Sequence, residues 1–184
     1  RLIAKKINLS NMNLYVVTES EKESGLNRIP KNMDPYSLYK LSEKELLKVI
    51  ENVFKCSNLT SFGLNGIGES IVYGLEAIVA GIEKSKLTSL NLSGNNLGKN
   101  TDGCKAIGAG IGKSKSLTSL MLSHNDLGES IKGCKAIGAG IGKSKSLTSF
   151  DISYNGIGKN TDGCKAIVAG IEKSKSLTSF DIEQ

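Results

Sequence analysis

The chain has 184 residues, 39% of them hydrophobic, a formal charge of +6 and one histidine. That is enough for one ordinary domain, and no apolar run approaches the roughly 20 residues that a membrane-spanning helix needs, so no membrane partner is expected. The chain opens on Arg1 rather than Met, so a longer native N-terminus is expected and no targeting signal is read from it.

A fixed period organises the rest. Leu87–Ser116, Leu117–Ser146 and Leu147–Ser176 are near copies, each 30 residues long, and a further copy opens at Leu177 and stops at Gln184. Self-similarity at such a period is the mark of a repeat array. In chain order, Ile7–Leu14 (INLSNMNL) aligns without a gap on Leu90–Leu97 (LNLSGNNL), with Met12 where Asn95 stands. A degenerate first strand is expected here, as an array's end unit has no outer neighbour. From about Tyr15 to Leu41 follows a polar insertion with Glu19, Glu21, Glu23, Pro30 and Pro35, whose Tyr36, Leu38 and Tyr39 are expected to cover the open end. A helix then begins at the capping box Ser42-x-x-Glu45, with Leu46, Val49, Ile50 and Val53 on one face. Its phase against Leu59 matches that of the later helices. Residues 1–58 are therefore expected to be a degenerate N-terminal repeat whose insertion acts as a cap, and residues 59–184 the regular array.

The unit Leu59–Lys86 is two residues shorter than the others. Its strand residues are Leu59, Phe62 and Leu64, Asn65 follows, and its helix face is Leu75, Ile78, Val79 and Ile82. In the next unit Leu90 and Leu92 alternate with Ser89, Asn91 and Ser93, the pattern of a strand with one buried face. Cys104, Ile107, Gly108 and Ile111 fall on one face of a helix. A Gly- and Asn-rich connection, Gly98–Gly103, joins the two halves, and Lys-Ser-Lys-Ser returns the chain to the next strand. Gly68–Ile71 matches Gly128–Ile131, whereas Lys99–Asp102 matches Lys159–Asp162, so two repeats together read as the duplicated unit. Gly108 and Gly138 stand where Ile50, Val79 and Val168 stand elsewhere. Each costs its helix about 1 kcal/mol against Ala and is expected to let the helix approach the sheet closely.

The run Leu87, Leu90, Leu92, Asn95, Leu97 is L-x-x-L-x-L-x-x-N-x-L. With its helical half, and with Gly103, Ile107 and Ile111 spaced as G-x-x-x-I-x-x-x-I, it resembles a leucine-rich repeat of the ribonuclease-inhibitor class. That resemblance implies an α/β solenoid with a curved parallel β-sheet on the concave side and α-helices on the convex side. It also implies a structural part for the asparagine. The repeat style is similar to that of domains which intracellular bacteria deliver into host cells, which would imply a secreted effector.

Four cysteines are present. Cys104, Cys134 and Cys164 share one helical column with Leu75 and Leu46, so they read as small buried hydrophobes. Helices packed about 8–10 Å apart are too distant for a bridge, so reduced thiols and a reducing, cytoplasmic compartment (of its own or a host cell) are expected. Cys56 lies outside the column. Asn65, Asn95, Asn125 and Asn155 are expected to satisfy buried backbone at the turns. Lys84, Lys113, Lys143 and Lys173, with Lys86, Lys115, Lys145 and Lys175, line one rim. They read as a solvated edge, since no aromatics interleave and arginine is scarce.

No catalytic triad, phosphate loop, carboxylate pair or metal motif is found, so neither an enzyme nor a cofactor is expected. The near-identical units differ at Gly63, Asn91, Met121, Asp151 and Asp181, at Gly94, His124 and Tyr154, and at Asn96, Asp126 and Gly156. Drift at solvated positions explains such differences. The sharper explanation is a protein-binding strip of Asn91, Met121, His124, Asp151, Tyr154 and Asp181 on the open sheet face. Two alternatives stand beside it: a targeting portion of a longer enzyme, and, more weakly, a basic nucleic-acid binder. The lone strand at the C-terminus leaves an open edge, where end-to-end self-association is expected.

Overall fold

A computed structural model describes residues 3–9, 12–18, 43–54 and 59–183. Seven strands form one sheet in chain order: β1 (Ile3–Leu9), β2 (Met12–Thr18), β3 (Leu59–Asn65), β4 (Ser89–Asn91), β5 (Ser119–Met121), β6 (Ser149–Asp151) and β7 (Ser179–Asp181). The helices are α1 (Glu43–Phe54), α2 (Val72–Lys84), α3 (Thr101–Lys113), α4 (Ile131–Lys143) and α5 (Thr161–Lys173). From β3 to β7 every neighbouring pair is parallel, because a helix returns the chain to the same end of the sheet each time. Strands lie about 4.8 Å apart and helices about 8–10 Å apart. That mismatch bends the array with the helices outside, as a leucine-rich-repeat solenoid requires.

The N-terminal strand departs from expectation. The alignment of Ile7–Leu14 on the repeat calls for one strand in the parallel run. Instead β1 and β2 are an antiparallel hairpin, and β2 lies against β3, antiparallel to it. Residues 15–18, assigned to the insertion on sequence, continue β2. β2 begins only two residues after β1 ends, at Met12, where the repeat pattern has asparagine. The rest of the insertion, with Tyr36, Leu38 and Tyr39, lies outside the described residues, as do Ser42 and Cys56. Helix α1 forms as its pattern demands, with Leu46, Ile50 and Val53 buried.

The core is a single file of repeated layers. Phe62, Leu90, Leu120 and Phe150 point from successive strands onto the helices, and each is at most 1% exposed. Ile78, Ile107, Ile137 and Ile167 meet them from the helix side at 0%. Each such side chain contributes about 1.5–3 kcal/mol on burial. Glycine tightens the helix layer, but against the next helix rather than against the sheet as expected. A Cβ on Gly108 would collide with the Ala136 carbonyl, and one on Gly138 with the Ala166 carbonyl. Gly140 and Gly170 face back onto Gly108 and Gly138 in the same way. Helices α3, α4 and α5 thus touch backbone to backbone, which no residue with a side chain permits.

Between each strand and its helix, buried backbone is satisfied by an asparagine ladder. Asn125 Oδ1 accepts the N–H groups of Asn95 (2.8 Å) and Leu97 (3.3 Å), while Nδ2 donates to the carbonyls of Leu92 (2.8 Å) and Leu122 (3.0 Å). Asn155 repeats this one unit on, accepting from Asn125 and Leu127 and donating to Leu122 and Ile152. Asn95 accepts from Ile67 and donates to Leu64 and Leu92. Asn65 does not join, contrary to its place in the sequence column. It ends β3, and its Oδ1 is buried without a hydrogen-bond partner. The two residues missing from its unit are those that carry the ladder position.

The thiol column is as the pattern implies. Cys104 and Cys134 are fully buried and free, Cys164 is half-buried and free, and the buried thiols donate to the carbonyls of Leu97 (3.2 Å) and Leu127 (3.1 Å). Burial, with the neighbouring Cys134 second, pushes the Cys104 thiol from 9.0 up to about 12. Burial, with Cys164 second, pushes Cys134 from 9.0 up to about 11.

Two outcomes follow. Asn125→Ala strands the buried N–H groups of Asn95 and Leu97 at about 1–3 kcal/mol each, while the Leu92 and Leu122 carbonyls keep Asn95 and Asn155 as donors, so urea unfolding should show a loss of at least about 2 kcal/mol. Asn65→Ala should stay within about 1 kcal/mol of the parent, since it removes an acceptor that is already unpaired. The raised thiol values also set an alkaline limit. Above pH 9 the unfolded chain releases thiol protons that the folded chain holds until about 11–12, so stability falls as pH rises. Stability measured against pH from 8 to 11 should fall less steeply for Cys104→Ala/Cys134→Ala than for the parent, and equal slopes would rule this source out.

Candidate functional site

Strand alternation turns one side chain in two toward the core and the other toward the open face. The register sets Gly63, Asn91, Met121, Asp151 and Asp181 side by side across β3 to β7. The middle three are half-buried and Asp181 is exposed. The open-face column expected from the repeat differences therefore exists as a column. Three of its members also hold local backbone. Asn91 Oδ1 accepts from Ser93 N–H (3.0 Å), Asp151 Oδ1 from Ser153 N–H (2.9 Å) and hydroxyl (2.6 Å), and Asp181 Oδ1 from Glu183 N–H (3.0 Å). This turn-forming role, typical of Asn and Asp, is one that the sequence reading missed. The Asx-x-Ser spacing at Asn91 and Asp151 was the signal available for it. Met121 has no such acceptor and is the apolar member of the strip.

Just beyond the strands, His124 and Tyr154 follow in line with Gly66 and Gly94. All four take left-handed backbone, with φ of 74° and 71° at the glycines, 54° at His124 and 53° at Tyr154. Inter-unit hydrogen bonds impose that conformation. Gly94 N–H donates to Ser123 O (3.0 Å), His124 N–H to Ser153 O (3.1 Å) and Tyr154 N–H to Glu183 O (2.7 Å). Glycine adopts this backbone freely, whereas a bulky residue does so at a cost of about 1–3 kcal/mol. The two rings stack in parallel, with centroids 4.6 Å apart and planes at 6°. One strand spacing separates members of a column, which is also the stacking distance. Tyr154 is 54% exposed. The preceding members of this column, Gly66 and Gly94, carry no side chain that could extend the stack beyond His124. Asn96, Asp126 and Gly156 form the next column outward, also left-handed.

The other rim is basic. Lys113, Lys115, Lys143 and Lys145 line one groove with Ser114 and Ser146, and Lys143, Lys145, Lys173 and Lys175 line the next. Lys113 pairs with Glu83 at 3.0 Å. Gly112 and Gly142 stand in the later units where Glu83 stands, and among the described residues Lys143 and Lys173 make no ion pair. These lysines sit where the strands begin, and the aromatic pair where they end, so the two features belong to opposite edges. Many serines and threonines are structural. The hydroxyls of Thr88, Thr118, Thr148 and Thr178 each donate to the threonine carbonyl one unit back. Among the described residues no three His, Cys, Asp or Glu side chains converge as a metal site, and no helix is long and apolar enough to cross a membrane.

Residues 83–108, 113–138 and 143–168 each match the family model described as Leucine Rich repeat. No curated protein matches the chain. Each matched stretch runs from the end of one helix through a strand and its asparagine turn into the next helix. That succession, recurring in one parallel sheet, gives residues 59–183 the fold of a leucine-rich-repeat solenoid.

Proposed function

We propose that this protein is a binding module whose open sheet face takes a protein partner. Leucine-rich repeats generally serve as scaffolds for protein interaction, and the long unit with a full helix supports placing this one in the ribonuclease-inhibitor-like class. The observation that carries the proposal is the His124–Tyr154 stack. Near-identical units have exchanged glycine for two aromatic rings at left-handed positions, where the exchange is disfavoured, and have exposed them together. Local strain held by surrounding structure is characteristic of recognition sites. Exposed aromatics supply large contact area at little cost in side-chain entropy. Met121 adds an adaptable apolar contact beside them, and Asn91, Asp151 and Asp181 fix the frame on which the strip sits. The module acts by contact rather than by catalysis, and its reduced thiols support a reducing compartment as its working place.

Capture of partners with the parent protein, followed by titration of the captured partner, tests this reading. His124→Gly and Tyr154→Gly should each weaken binding at least tenfold. Their melting temperatures should hold or rise, because glycine relieves the left-handed strain. Met121→Ala should weaken binding with little change in stability. Unchanged affinity in all three variants, with loss only when Lys143, Lys145, Lys173 and Lys175 are neutralised and with steep salt dependence, would transfer the site to the basic rim and favour a polyanion.

A further inference from the structure

The stack of Tyr154 and His124 ends at Gly94. Its ring centroids, 4.6 Å apart, match the spacing of successive strands, about 4.8 Å, so the next ring position lies over Gly94. Apart from its chain neighbours, a side-chain carbon on Gly94 would meet within 4 Å only the Gly66 backbone, N at 3.5 Å and Cα at 3.6 Å. Gly94 is half-buried and His124 is exposed. The turn beside this place is also where the near-identical units change charge. The unit of His124 carries Asp126 and Glu129, both exposed, where the preceding unit has Asn96 and Lys99 and the following one has Gly156 and Lys159. Asp126 packs its carbonyl on Gly98, in the turn that also holds Gly94, so closely that a side chain on Gly98 would strike it. The face of an imidazole and a carboxylate-bearing turn thus border one place that no side chain of its own unit fills.

We propose that the place over Gly94 receives an arginine side chain of the protein partner, its guanidinium stacked on His124 and its N–H groups donating to the Asp126 carboxylate. The inference rests on the reading of the open face as the partner surface and names what that surface selects. Three requirements single out arginine. The group must be flat, because it lies one stacking distance from an imidazole. It must be cationic, because this turn holds two carboxylates where each neighbouring turn holds a lysine. It must carry donors in its own plane, so that it lies on the ring and reaches the carboxylate together. A guanidinium has that form, and a cation over an aromatic face gains from the ring as well. Lysine meets the charge but is not planar. Phenylalanine and tyrosine are planar but leave the two carboxylates without a counter-charge.

Capped tripeptides with arginine, lysine or phenylalanine between two glycines are the probes, titrated into the 184-residue protein at pH 8 and followed by NMR. The arginine peptide should shift Gly94, His124 and Asp126 saturably and bind at least about threefold more tightly than either of the others. Asp126→Asn should remove that preference and leave phenylalanine binding unchanged. Gly94→Asn fills the place with a side chain that tolerates left-handed backbone, and should abolish the arginine-induced shift at His124. If Gly94→Asn fails to fold, Asp126→Asn alone decides. The inference is overturned if the lysine or the phenylalanine peptide binds as tightly as the arginine one, or if no peptide shifts His124. It is overturned equally if Gly94→Asn folds and binds arginine as the parent does. Each of these results leaves the open-face reading standing, because a tripeptide probes one place and not the whole surface. A captured partner that binds His124→Gly and Tyr154→Gly as tightly as the parent would overturn both.

Discussion

Buried backbone donors and acceptors cannot be left unpaired without losing about as much free energy as a side chain gains by burial. In this protein each unit meets that requirement with an atom from the next unit. One asparagine side chain closes its own turn through Nδ2, reaches the preceding strand through the same nitrogen, and takes two N–H groups of the preceding turn on Oδ1. No unit is complete alone, which is the physical content of the near-identity between repeats. A change at the ladder is felt in two units at once. The threonine hydroxyls that donate to the carbonyl one unit back and the serine hydroxyls at the opposite turn extend the same dependence to the strand-entry edge.

The helix layer answers a different constraint. Helices need more room than strands, so a repeat with ordinary side chains between its helices must bend strongly. Glycine at 108, 138, 140 and 170 lets α3, α4 and α5 close to backbone contact. At α1 and α2 the same place is filled by Ile50 and Val79. The loss in intrinsic helix propensity, about 1 kcal/mol per glycine, is offset by packing, and the helices are further held at their starts. Asn100, Ser130 and Asn160 each accept the N–H of the third residue on, at 2.9–3.1 Å. Asn-Thr-Asp and Ser-Ile-Lys are thus two solutions to one capping requirement, and the alternation along the chain leaves the helix geometry unchanged.

Where structure is fixed this tightly, the free positions are few. They lie on the open sheet face and on the left-handed residues beyond it. Asn91, Asp151 and Asp181 are partly committed to their own turns, whereas among the described residues no such side-chain bond is made by Met121, His124 or Tyr154. The open face therefore combines a polar frame bonded to its own turns with a small group of adaptable or aromatic side chains.

The sequence by itself determined the repeat length, the alternation of strand and helix, the parallel sheet, the core-facing sides of the first three helices, the thiol column and the asparagine turn. Each of these depends on neighbours at a fixed distance along the chain, and a periodic pattern states such neighbours directly. Tertiary structure decided what happens where the pattern breaks or where two columns meet. Ile7–Leu14 matches the repeat, yet the chain there turns back as a hairpin, because strand direction depends on the partner that is present and not on the alternation of apolar residues. Asn65 has the right residue type but the wrong place, since a two-residue deletion moves it from the turn onto the strand. Ile71 and Ile131 match in sequence but are 1% and 40% exposed: one ends a 3₁₀ turn facing the core and the other begins a helix facing solvent. The glycines close on a neighbouring helix rather than on the sheet, and His124 meets Tyr154 across two units. Those contacts are set by how the units stack, a distance between chain segments that no single repeat contains.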